Sequence, residues 1–329
     1  MSKHDPYAAL RFKEFNFFLL IRFLLVLAWS MQFIIIEWEV YNLTKDPLSL
    51  GLIGLIEIIP AISMSLFAGH IVDQNEKKKM FILAIIAFLF VSFAFFSITS
   101  SYAYLTYTSK QILFGIYLLV FLGGFIRAFF GPIIFSLVAL IVSKQAYPNA
   151  ASWSSSTWQF ASVLGPAFAG FSIAWVGIHI SMGFVFLSVF ISMILTLFIK
   201  KKPILNPKIG EPIVNSLKAG LNFVFKTKLI LVAITLDMVA VLFGGAIALL
   251  PIFAQDILNV GSKGFGMLRA APAVGALIIM FVSAYIPVTK KCRYEITSCY
   301  FLFWNFNNNI WNLFYILFVT ICTLFIWPN

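Results

Sequence analysis

Apolar stretches of bilayer length alternate with short polar turns along this chain. A helix must carry about 20 apolar residues to cross a ~30 Å hydrocarbon core. Continuous hydrophobicity places spans at 15–36, 48–72, 80–97, 111–142, 150–176, 180–199, 229–254 and 264–286, with a further apolar stretch at 301–327. The pattern predicts an all-α integral membrane protein with eight or nine transmembrane helices. Span four is long enough to tilt or to bend at Gly131-Pro132.

Composition agrees with the pattern. Of 329 residues, 61% are hydrophobic and 11% charged, and the mean hydropathy is +0.98. Those values exclude an ordinary soluble domain. The first span is too long for a signal-peptide core and no small-residue cleavage site follows it, so it reads as retained. The 38 phenylalanines read as scattered lipid-facing residues without chemistry.

The net charge of +11 would suit nucleic acid, but the basic residues lie in the turns between spans, where they set orientation and meet anionic lipid. With the N-terminus inside, Lys3, Arg11, Lys13, Lys77, Lys78, Lys79, Lys144, Lys200, Lys201, Lys202, Lys208, Lys218, Lys226, Lys228, Lys290, Lys291 and Arg293 share one side. Lys45, Lys110 and Lys263 hold the other. The expected topology is a multi-pass protein of the cell (inner) membrane with a cytoplasmic N-terminus.

The stretch 200–228 divides the chain after six spans. It carries Pro203, Pro207 and Pro212, then apolar residues at helical spacing between lysines over 213–225. It reads as a linker with an amphipathic surface helix, or as a solvated loop. Six spans, a basic connector and more spans suggest a two-bundle transporter. The expected division is a six-helix bundle at 1–199, a cytoplasmic connector at 200–228, and the start of a second bundle at 229–291.

Two motifs carry a resemblance. The turn after span two reads Gly69-His70-Ile71-Val72-Asp73-Gln74-Asn75-Glu76-Lys77-Lys78-Lys79. It resembles the signature loop of the major facilitator superfamily at Gly69, Asp73, Lys77 and Lys78, with Gln74 and Glu76 departing from it. In span five, Gly165-Pro166-Ala167-Phe168-Ala169-Gly170 resembles the fifth-helix pattern of the superfamily's exporters. Glycine lets helices approach closely. Proline frees a backbone carbonyl and permits a bend. An aspartate near a helix end can cap or pair to lock a gate. The start, Asp5-Pro6-Tyr7-Ala8-Ala9-Leu10-Arg11 with Phe15 leading to Arg22, resembles the bacterial branch containing the enterobactin exporter and related drug and macrolide efflux proteins. The resemblance covers residues 1 to about 290 and implies proton-coupled export of an amphipathic small molecule by alternating access. The competing reading is a non-transporting membrane scaffold or regulatory subunit.

Charges at membrane depth are costly and face a bundle interior or watery cavity. Arg22, Glu57, Arg127 and Asp237 are therefore the candidates for transport and proton coupling, with Glu57 or Asp237 as carrier and Arg127 as counter-charge. Glu37 and Glu39, near the end of span one, read as interfacially solvated. Trp29, Gln32, Trp158 and Gln159, with Trp153, are candidates for a cavity of flat apolar walls and few polar handles. His4, His70 and His179 read as solvated. No nucleotide loop, zinc set or hydrolase triad is present in the sequence, so neither cofactor nor metal is expected and an enzyme is not the reading.

After Lys291 the character changes. Cys292, Cys299 and Cys322 all lie there, Asn305, Asn307, Asn308 and Asn309 cluster in one apolar stretch, and no Gly follows Gly275. Shifting the frame by one base can turn 292–299 into Ala-Gly-Met-Lys-Leu-Leu-Leu-Ala, a facilitator-like helix. The expectation is an out-of-frame tail at 292–329 and a truncated chain, inactive unless another chain completes its second bundle.

Overall fold

A computed structural model describes residues 7–202, 222–227 and 249–285, with isolated positions between 230 and 238. The helices are α1 (Lys13–Thr44), α2 (Pro47–Gln74), α3 (Lys77–Ile98), the short α4 (Ser101–Thr106), α5 (Ser109–Ile141) and α6 (Tyr147–Thr196). Beyond the connector come α7 (Leu250–Ile252), a π turn at Phe253–Ile257 and α8 (Gly261–Tyr285). Five of these helices are long and apolar enough to cross a membrane.

Local chemistry sets the boundaries. α1 ends at Lys45 in the left-handed conformation. Asp46 starts α2 by accepting from the amides of Leu48 and Ser49 at 3.1 and 3.2 Å, with Pro47 at the first helical position, where its missing N–H costs nothing. Thr108 and Gln111 form a reciprocal capping box at the start of α5. α6 is two spans in one: Gly177 breaks it at φ +78°, a conformation that favours glycine. Its halves, 147–176 and 178–196, match predicted spans five and six, and the expected loop is little more than that residue. α5 continues through Pro132.

α1 runs on for eight residues past its predicted end at Ile36. The acidic pair Glu37 and Glu39 stops a hydropathy window, but both side chains are buried inside the bundle, so the helix has no reason to stop.

α1 packs along α6, α2 along α5, and α3 bridges α5 and the second half of α6. α8 lies against the first half of α6. The interior is aromatic. Trp29 meets Phe88 at a centroid distance of 4.9 Å, and Phe130 stands edge-on to Phe88 and Phe81 at 6.2 and 6.4 Å. Phe15, Phe18, Phe81, Phe88 and Phe95 are fully buried. The reading of the phenylalanines as lipid-facing is thus corrected for this set. Others do lie outward, Phe90 and Phe114 among them; in lipid an outward phenyl ring is not penalised.

The helices give the bundle two ends. At one, Glu14 pairs with Lys202 at 2.8 Å and Lys78 reaches the Leu197 carbonyl at 3.4 Å. At the other, Lys45 donates to Gln255 at 2.6 Å and Tyr104 bonds Glu39. The tail at 292–329, the stretch 213–221 and most of span seven lie outside the described residues, while 222–226 are helical with Phe223 and Phe225 exposed.

Candidate functional site

Between α1, α2, α3 and α5 lies a narrow cleft, its cavity about 20 Å³, lined by Trp29, Gln32, Phe33, Ile36, Glu57, Phe95, Leu119, Val120 and Gly123. Its walls are aromatic and aliphatic with two polar handles. Gln32 Oε1 accepts from Ser92 Oγ at 3.0 Å, and both residues are buried. Glu57 Oε1 pairs with Arg127 Nη1 at 2.8 Å, the carboxylate nearly enclosed and the guanidinium mostly exposed. Close approach of α5 to α2 sets this pair: a Cβ on Gly124 would sit 2.6 Å from Pro60 Cγ.

The other predicted residues fall in several places. Trp29 and Gln32 line the cleft; Trp158, 49% exposed, and Gln159 do not. Arg22 is half-buried on α1, its Nε without a hydrogen-bond partner among the described residues. Asp237 lies outside the described residues.

At the signature turn the side chain that caps is lysine. Lys77 is buried and its Nζ donates to the Val72 and Asn75 carbonyls, closing the C-terminus of α2. Cations belong at that end of a helix. Asp73 is exposed. Gly69 does not bring helices together, since a Cβ there would meet nothing within 4 Å among the described residues. Gly165 and Gly170 do. A Cβ on Gly165 would lie 3.3 Å from the Leu27 carbonyl of α1, and one on Gly170 would lie 2.7 Å from Gly266 Cα of α8. Pro166 also faces α8, its carbonyl 2.8 Å from a Cβ built on Gly266.

Sequence reasoning missed the contacts between α1 and the segment around α8. Glu37, 3% exposed, lies 3.6 Å from Arg269, which corrects its reading as a solvated interfacial group. Glu39 is likewise buried and accepts from Tyr104. Tyr41 bonds Asp256, Gln255 bonds Asn42 at 2.9 Å, and Trp38 stacks on Phe265 at 5.4 Å. A run of Glu-x-Glu followed by Tyr-Asn at one end of a span was the available signal. His179 is also no free loop residue: it stacks on Phe96 at 4.2 Å.

Outside the spans, two titrating groups at this end are shifted. The Leu48 amide, then the Ser49 hydroxyl and amide, hold Asp46 below the usual carboxylate range. Burial, then its bond to Glu39, pushes the Tyr104 phenol up.

No curated protein matches the chain. Among solved structures, a bacterial homologue of the human lysosomal transporter Spinster, inward-facing and unoccupied, is similar at TM-score 0.60 and 13% identity, over 95% of this chain and 72% of that one. A D-xylose-proton symporter is similar at TM-score 0.65 and 12% identity, over 95% and 80%. At such identities the likeness is one of fold. The family model for transmembrane secretion effectors matches residues 4–291, ending where the sequence changes character. The chain therefore belongs to the transmembrane secretion effector family and is a transporter of the major facilitator superfamily.

Proposed function

We propose that this chain exports an amphipathic small molecule from the cell in exchange for protons, by alternating access of the central cleft. The observation that carries the reading is the Glu57–Arg127 ion pair on the wall of a cleft otherwise built from Trp29, Phe33 and Phe95. Flat apolar walls suit ligands of varied shape, and one buried carboxylate with an exposed counter-charge suits proton exchange. Glu57 is the proposed carrier within the described residues, Asp237 the second candidate, and Gln32 and Trp29 contact the ligand. The fold shared with a proton symporter supports coupling to protons.

Residues 1–199 form the bundle that holds the cleft, 200–228 the cytoplasmic connector, and 229–291 the facing elements of the second bundle. The lysine-rich end faces the cytoplasm of a cell with an anionic inner membrane.

The test is uptake of ethidium into inverted vesicles carrying the full chain under an imposed acid-inside gradient. Gradient-driven uptake is expected, with loss of about tenfold or more in Glu57→Gln, as for removal of a buried functional charge. Absence of gradient-driven movement overturns the export reading. Unchanged coupling in both Glu57→Gln and Asp237→Asn removes the carrier assignment.

A further inference from the structure

We propose that Arg22 is an anion subsite on the export path, and that its guanidinium binds a carboxylate, sulfonate or phosphate group carried by the amphipathic substrate. The subsite rests on the reading of the cleft as a transport path.

Arg22 lies on α1 between the lysine-rich end and the cleft. At about 1.5 Å per residue it is roughly 14 Å along the helix from Lys13 and roughly 10 Å before Trp29. Helical periodicity puts it on the same face as Trp29 and Phe33, both of which line the cleft. Aromatic contacts between α1 and α3 bracket it. Phe18 meets Phe81 at 6.4 Å on one side, and Trp29 meets Phe88 at 4.9 Å on the other. The residue is half-buried, so it is neither sealed in the core nor free in water.

Nothing within the bundle neutralises it. Its Nε is buried without a hydrogen-bond partner, and no ion pair includes Arg22, among the described residues. α3, α5 and α6 carry no Asp or Glu at all. On α1 itself, Glu14 is taken by Lys202, and on α2, Glu57 is taken by Arg127. The other intramembrane arginine of the first bundle, Arg127, thus has its carboxylate, and Arg22 has none.

An unpaired cation at membrane depth is expensive to keep. A guanidinium holds its charge across the physiological range, and its planar fork matches a carboxylate, sulfonate or phosphate. Aromatic rings on either side suit the apolar body of the same ligand. The substrate class is therefore an amphipathic organic anion, its charged group on Arg22 and its apolar part against Trp29.

The test is binding of dansyl-taurine, an amphipathic sulfonate, to the full chain in phosphatidylcholine nanodiscs. Binding is read as energy transfer from protein tryptophan, taken against empty discs, in about 0.5 M salt, where exposed lysines are screened within a few ångströms. Dansyl-cadaverine, with the same fluorophore and the opposite charge, is the control. Arg22→Gln is expected to weaken dansyl-taurine about tenfold, as for loss of a charged hydrogen bond, and to leave dansyl-cadaverine within about twofold. Arg22→Lys keeps the charge and loses the fork, and is expected to cost about threefold. No binding of dansyl-taurine by the parent, unchanged affinity in Arg22→Gln, or equal weakening of both dyes overturns the subsite. Displacement of dansyl-taurine from the parent by phosphatidylglycerol in the discs gives the guanidinium to a lipid headgroup and overturns it too. If Arg22→Gln does not assemble into discs, Arg22→Lys decides: sulfonate-selective weakening upholds the subsite and unchanged affinity overturns it. Binding requires no transport. Gradient-driven ethidium movement without Arg22-dependent binding sinks the subsite alone; Arg22-dependent binding without any transport upholds the subsite and sinks the export reading.

Discussion

Gln32 and Ser92 are both buried, and each is the other's partner across α1 and α3. A mid-span amide must find such a partner, so Gln32 stood out in the sequence. Ser92 did not, because a helical serine is satisfied equally well by its own preceding turn. Ser92→Ala strands the Gln32 carbonyl and is expected to cost about 1 kcal/mol in thermal unfolding of the detergent-solubilised chain, small because polar pairs in membranes average well under 2 kcal/mol. Tyr104 offers a pH readout. Its phenol is raised above the ordinary value of 10.0 by burial and then by Glu39. The bond therefore stabilises the fold fully below that pH and is lost as pH rises through the higher folded value. Tyr104→Phe is expected to be less stable than the parent at neutral pH, with the gap narrowing at strongly alkaline pH. A constant gap across the range would show that the hydroxyl contributes nothing through its proton. Glu37 was illegible for a different reason: its burial depends on α8, more than 200 residues away in sequence.

Among the elements, length and hydrophobicity were enough to place the first six spans, since a bilayer leaves a chain few other options. What hydropathy could not supply was which glycines act in packing. Gly69 and Gly170 both sit in recognisable motifs, yet only Gly170 meets another backbone, at Gly266. The difference lies in the partner: α8 presents its own glycine at the crossing, so both backbones approach without side chains between them. Gly170→Leu forces α8 off α6. The expected destabilisation is about 1–3 kcal/mol, typical of overpacking, read as faster proteolysis within 255–262 while the first bundle stays intact. Gly69→Leu should leave that pattern unchanged. Equal sensitivity of the two variants would mean that the crossing does not anchor α8.

At the scale of the molecule, the bundle sorts its charges by end. Arg11, Lys13, Lys77, Lys78, Lys79, Lys144, Lys200, Lys201 and Lys202 gather where Glu14 and Glu76 bond the start of the connector, at Lys200 and Lys202. Lys45, Lys110 and Lys263 lie at the other end, with the Glu39, Asp256 and Tyr104 contacts. This asymmetry was readable in the sequence because a lysine in a turn needs only the span count to be assigned a side. The contacts that close the remote end were not readable, because they join segments whose pairing no local pattern encodes. Both observations feed one prediction. Single cysteines at Glu76 and Lys201 are expected to react with a membrane-impermeant maleimide from one face of the membrane, the cytoplasmic one. Cysteines at Tyr107 and Asn259 should react from the opposite face. Residue 259 carries the weight, because the number of crossings between Lys202 and α8 decides its side. An odd number puts Asn259 with Tyr107, as its neighbours' bonds to Asn42 and Lys45 require. Labelling of Asn259 together with Glu76 would break those bonds' geometry and, with it, the place of α8 in the second bundle.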